Sequence, residues 1–144
     1  RLEFPYLNNI MEQGEYVHIE KAGLKIYPEY GTYSDFNALP DSIFLYIADE
    51  NNVVTDAVKD YLGKQVQGGK LVKDDLFLGN TYYYFDVTQF MKEELGASGK
   101  YKHNLQLVFN SDDYTKTLKN LTFSAPNGQN PIILQLNYKI YESY

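Results

Sequence analysis

The chain has 144 residues, 44% of them hydrophobic and 22% charged, with 15 Tyr, 8 Phe, no Trp and no Cys, and its 13 Lys and Arg against 19 Asp and Glu leave a net charge of −6. That size suits one compact domain, residues 1–144, able to bury roughly 70% of its unfolded surface, and the apolar content excludes disordered, collagen-like and low-complexity classes. An acidic balance without a basic stripe excludes nucleic acid as a partner, zero Cys excludes disulfides and thiolate chemistry, and no apolar run approaches the ~20 residues of a membrane-spanning helix.

Period-two alternation dominates the walk along the chain. Leu2 to Tyr6 is an edge-strand candidate interrupted by Pro5. From Tyr16 to Tyr27 the apolar positions Val17 and Ile19 share one parity, and Ala22, Leu24 and Ile26 share the other. The slip at Glu20-Lys21 predicts a bulge or two successive short strands, because one inserted residue swaps the faces of everything after it. Pro28-Glu29-Tyr30-Gly31 is a turn. Ser42 to Ala48 is a strand with Ile43, Leu45 and Ile47 on one side, and Val53 to Thr55 is a short one. Thr55 to Gly63 has some marks of a helix, although Val, Asp and Tyr are mediocre helix formers. Gln67-Gly68-Gly69-Lys70 is predicted as a turn and Leu71 to Lys73 as a rung. Tyr82 to Val87 aligns Tyr83, Phe85 and Val87, leaving Tyr82 and Tyr84 on the other face. Thr88 to Leu95 is predicted as the one clear helix, with Phe90, Met91 and Leu95 at helical spacing. Thr88, or Asp86 with Gln89, caps its start, and Gly96 is placed to end it. Asn104 to Phe109, Leu121 to Phe123 and Ile132 to Tyr141 complete seven to nine strands, with a turn at Pro126-Asn127-Gly128. The expected fold is all-β, a jelly-roll-like sandwich of two antiparallel sheets with one short α-helix at about residues 88–95.

Catalytic patterns are scarce. Neither H-E-x-x-H nor G-x-S-x-G occurs, Gly68-Gly69 lies in no phosphate loop, and His18 and His103 sit in unrelated contexts, so both are read as surface side chains. No cofactor is expected. Asp49-Glu50-Asn51-Asn52, Asp74-Asp75 and Asp112-Asp113 are the acidic groups; Asp49 and Asn51 alternate as oxygen ligands would, but the Gly and distal Glu of an EF-hand are missing, and turn residues are the default. The aromatic load carries more. Tyr27 to Phe36 holds four rings in or beside one loop, and Tyr30, Tyr33 and Phe36 there, together with outward Tyr84, are the candidate ligand contacts, since a ring with a polar handle stacks on a flat ligand such as a sugar. Tyr is equally a good strand residue, packing its ring and wetting its hydroxyl.

Arg1-Leu2-Glu3-Phe4-Pro5, the run from Val17 to Ile26 with its K-A-x-L-x-I pattern, Gly68-Gly69, Tyr84-Phe85-Asp86-Val87-Thr88, Leu105-Gln106-Leu107 and Pro131 to Tyr138 together resemble the C-terminal β-sandwich domain of a family of Bacteroidetes cell-envelope lipoproteins of unknown function. The F-D-V-T and P-x-x-L-x-x-x-Y elements are also similar to carbohydrate-binding-like jelly rolls of secreted bacterial proteins. The resemblance covers most of the chain. Its matched residues are core and capping positions, so it implies no functional site. It implies a location: exported and anchored through a lipidated Cys upstream of Arg1, on the outer membrane or cell surface, this segment being an excised or processed part of a longer lipoprotein. Asp41-Ser42-Ile43 is similar to the O-glycosylation signal of that phylum, and Asn120-Leu121-Thr122 is a formal N-glycosylation sequon.

These readings point to a non-catalytic envelope module, structural or binding extracellular glycan or another envelope protein, with membrane contact only through the anchor. Two alternatives stay open: a glycoside-active enzyme using a carboxylate pair roughly 5 to 9.5 Å apart, and a pilus or adhesin subunit with a sheet edge open for strand donation.

Overall fold

A computed structural model describes residues 1–13, 16–60, 62–76, 79–98, 103–109, 121–123 and 131–142. Seven strands lie among them: β1 (Tyr16–Ile26), β2 (Ser42–Ala48), β3 (Val54–Ala57), β4 (Gly68–Val72), β5 (Tyr82–Asp86), β6 (Asn104–Phe109) and β7 (Ile133–Tyr141). A single-turn helix, α1 (Asn8–Met11), precedes β1, and α2 (Thr88–Ser98) follows β5. Every pairing is antiparallel. The fold is all-β and sandwich-like, as the alternation predicts. Its two halves are continuous through hydrogen bonds, because β4 pairs with β2 on one side and with β5 on the other. The ladder runs β6-β2-β4-β5-β1-β7, and β3 lies beside β4 on the same edge of β2.

The predicted slip in β1 is a bulge. Ile19 pairs with Tyr138 and Lys21 with Asn137, so Glu20 is the extra residue. The bulge keeps Val17 and Ile19 on the same inner face as Ala22, Leu24 and Ile26. Opposite them, Ile140, Tyr138, Leu136 and Leu134 of β7 supply apolar cross-strand partners. Leu24, Ile26, Ile43, Leu45, Tyr83, Phe85, Val87, Met91 and Leu105 form a fully buried centre, and each contributes on the order of 1.5–3 kcal/mol of burial. Tyr83 brings a hydroxyl into that centre and satisfies it by donating to the Pro40 carbonyl at 2.6 Å.

Helix α2 is tied to the sheet at its first turn. The Asp86 carboxylate accepts from the backbone N–H and the hydroxyl of Thr88, and the Thr88 hydroxyl accepts the Ala22 N–H of β1 at 2.9 Å. Asp86 is therefore the cap and Thr88 the tie to β1; the expected Asp86–Gln89 capping box does not form, because the Gln89 amide donates to Glu93 at 2.7 Å and the Asp86 N–H donates to Gln67. Phe90, Met91 and Leu95 turn into the core as their spacing predicts. Gly96 does not end the helix, which runs on to Ser98. Glycine there faces open space and lacks the left-handed backbone of a terminating cap.

Three further expectations change. Thr55 to Gly63 is not a helix: Val54 to Ala57 forms β3 against β2, where branched side chains suit the pleat. The chain then turns through Gly63 at φ 69°, with the Asp60 carboxylate accepting from Lys64 and Gln65. Gly68-Gly69 is not a turn but the start of β4, and the ring of Phe85 occupies the space that a side chain on Gly69 would fill. The N-terminal segment supplies a single rung, Leu2 with Leu105, bonded in both directions at 2.7 and 3.1 Å. Phe123 likewise adds one bridge, to Pro28. Asp112-Asp113, Asn120 and the Pro126-Asn127-Gly128 turn lie outside the described residues.

Candidate functional site

The alternation that buries Tyr83 and Phe85 sends Tyr82, Tyr84 and Asp86 to the outer face of β5. Pairing registers decide what stands beside them. Tyr84 is opposite Lys70 of β4 on one side and Lys25 of β1 on the other, and Asp86 is opposite Gly23. On β7 the outward neighbours are Gln135, opposite Gly23, and Asn137, opposite Lys21. Gly23 is the key position. A Cβ built there would lie 2.9 Å from both Cε2 and the hydroxyl of Tyr84, so the ring lies over the bare backbone of β1. Lys21, Gly23, Tyr84, Gln135 and Asn137 line a hollow of about 130 Å³ beside that ring.

The Tyr84 hydroxyl, the amides of Gln135 and Asn137 and the ammonium of Lys21 have no hydrogen-bond or ion-pair partner among the described residues. The same strip continues to Tyr82, whose ring lies 5.4 Å from that of Tyr27 and carries the Lys25 ammonium 5.1 Å from its centroid. A half-exposed ring flanked by amides and amines suits a flat ligand with hydroxyl or carboxylate groups.

The other aromatic candidates disperse. Tyr30 is 58% exposed and Phe36 stands fully out, whereas Tyr33 packs partly against the core. The loop is ordered by polar bonds: Thr32 to the Glu29 carbonyl, and the Asn37 amide to the Thr32 carbonyl at 2.7 Å. These three residues do not line the Tyr84 hollow; only Tyr27, at the base of the loop, reaches the outer strip through Tyr82. Gln135 and Asn137 carry no motif, and their parity along β7 was the available signal.

Asp49 and Asn51 lie in the turn between β2 and β3. One Asp49 carboxylate oxygen accepts from Asn51 and Val53, both at 2.9 Å, and Asn52 takes φ 62°. That carboxylate is the turn's own cap. Among the described residues no three His, Asp or Glu side chains gather as metal ligands. His18 is exposed on β1, opposite Lys139. His103 is bound to α2, with its Nδ1 2.5 Å from the Glu94 carboxylate, which also accepts the His103 backbone N–H at 3.1 Å.

A second hollow, about 360 Å³, is lined by Asp56, Lys59, Gln89, Phe90 and Glu93 among others. Asp56 bonds Lys59 at 2.9 Å, and this contact holds its carboxyl below the usual carboxylate range and raises Lys59. A glycosidase acid needs the opposite shift. A third hollow, about 510 Å³ and largely apolar, lies where Leu2 and Phe4 meet Pro131, Ile132 and Leu134. No helix among the described residues is long and apolar enough to cross a membrane.

Compared with protein-family models, with curated proteins and with solved structures, the chain matches none.

Proposed function

We propose that the protein is a non-catalytic binding module of a bacterial cell envelope, exported and lipid-anchored, which holds an extracellular glycan on the outer face of β5, β1 and β7. The observation that carries this reading is the Tyr84 ring laid over Gly23 beside the amides of Gln135 and Asn137, which have no partner among the described residues. Sugars present an apolar C–H face to a ring and hydroxyl groups to amides at its edge, and this shelf offers both. The envelope location rests on the resemblance to Bacteroidetes lipoproteins. In the glycoside-active alternative Asp56, held low by Lys59, fits the ionised carboxylate of a pair and not its acid.

A glycan array probed with the purified protein tests the reading. Bound glycans lose affinity about tenfold or more with Tyr84→Ala, the scale of one lost stacking contact. An array without hits, or hits that Tyr84→Ala leaves unchanged, overturns it.

A further inference from the structure

The Tyr84 shelf has a charge that the whole chain does not. Against a net −6, the outer face of β4, β5, β1 and β7 carries Lys70, Lys25, Lys21 and Lys139, with Asp86 and the bulged Glu20 as its acids. Lys139 is paired with Glu20 in the bulge. Asp86 is taken up by Thr88 at the start of α2. Lys21 and Lys70 have no carboxylate partner among the described residues, and Lys25 leans on the Tyr82 ring. Lys70, Tyr84 and Lys25 occupy one cross-strand row, so directly paired Cβ atoms stand about 5 Å apart, and Lys21 closes the hollow on the other side of Gly23.

From this juxtaposition we infer that the ligand is a carboxylate-bearing saccharide, a hexuronic-acid chain, with one ring on Tyr84 and its carboxylates met by Lys21, Lys25 and Lys70. The inference rests on the glycan reading and narrows it. A neutral sugar would supply no counter-charge to the Lys21 and Lys70 ammonium groups, which have no carboxylate partner among the described residues. An acidic chain supplies charge at the repeat of its sugars, and Lys, with a compact charge on a flexible stem, follows it without a fixed fork geometry. The overall negative charge then acts as a filter, since an acidic ligand is attracted at this strip and repelled elsewhere.

Calorimetric titration of the full chain with tetrasaccharides of glucuronic, galacturonic and mannuronic acid, each beside its carboxyl methyl ester, tests the inference. At least one acid binds about tenfold tighter than its own ester at low salt, and the gap shrinks in roughly 0.3 M salt as the charges are screened. The double variant Lys21→Gln with Lys70→Gln narrows the gap by weakening the acid more than the ester, whereas Tyr84→Ala weakens acid and ester alike. An acid and ester bound equally overturn the charge inference and leave the Tyr84 reading standing. Binding that Tyr84→Ala does not weaken overturns both, and no binding of any of the three acids overturns the inference.

Discussion

Two glycines of this sheet each lie under an aromatic ring, on opposite faces. At Gly69 a Cβ would fall 2.1 Å from the Phe85 ring, inside the core, where that ring is fully buried. At Gly23 a Cβ would fall 2.9 Å from Tyr84, on the outer face, where the ring stays half-exposed. The same device, a bare backbone position roofed by an aromatic, serves packing on one side and presents a flat surface on the other. The difference lies in what closes the ring from above: side chains over Phe85, solvent over Tyr84. Residues 83 to 85 thus carry core and shelf in adjacent positions, and the pleat alone separates them.

The largest effect expected from breaking this comparison is at Phe85. Phe85→Ala empties the centre of the core and costs about 3–5 kcal/mol, read as a lower denaturant midpoint with an unchanged slope. Gly69→Ala is next. The added methyl meets a buried ring that has little room to move, so overpacking costs about 1–3 kcal/mol in the same measurement. Gly23→Ala meets only the outer edge of a side chain that can swing into solvent, and its stability stays within about 0.5 kcal/mol of the parent. Its signature is elsewhere: the Tyr84 ring resonances shift and glycan binding falls. Equal destabilisation by the two alanines would show that the outer ring is as firmly packed as the inner one.

The smallest effect is electrostatic and marks the edge of the shelf. Hydrogen bonding and attraction to Lys139 hold the Glu20 carboxyl below its ordinary value, and the same pair raises Lys139. A depressed acid contributes stability above its unfolded pKa, of about 4.3, and loses it as the pH falls through the lower folded value. The raised Lys139 contributes below its unfolded pKa and loses that contribution as the pH rises through the folded one. Both groups are fully exposed, so the expected readout is a titration and not a melting curve. In carboxyl-detected NMR, Lys139→Met returns the Glu20 midpoint upward to the ordinary range; an unmoved midpoint would show that the pair does not persist in solution.

Much of the fold was legible because its signals are local. The parity slip at Glu20-Lys21 announced the bulge, the Tyr83 and Phe85 stripe announced a core strand, and Asp86-Val87-Thr88 announced the start of α2. The misread segments were those where a local signal met a tertiary one. Gly68-Gly69 looks like a turn to any rule of composition, and it is a strand because Phe85 needs the space above Gly69. Thr55 to Ala57 has helical marks, and it is a strand because β2 offers an edge to pair with. Tyr84 was singled out as an outward ring on alternation alone. Its partners Lys21, Gln135 and Asn137 were not, since they come from strands β1 and β7, more than a hundred residues apart in the chain.

By itself the sequence determined the all-β class, the inner and outer faces of each main strand and the start of α2, because side-chain period and capping chemistry act within a few residues. Only the tertiary structure decided which outward side chains became neighbours. Strand register, set by pairing over long separations, brought Lys70, Tyr84, Lys25 and Gly23 into adjoining rows and turned scattered polar residues of an acidic chain into one cationic, aromatic surface.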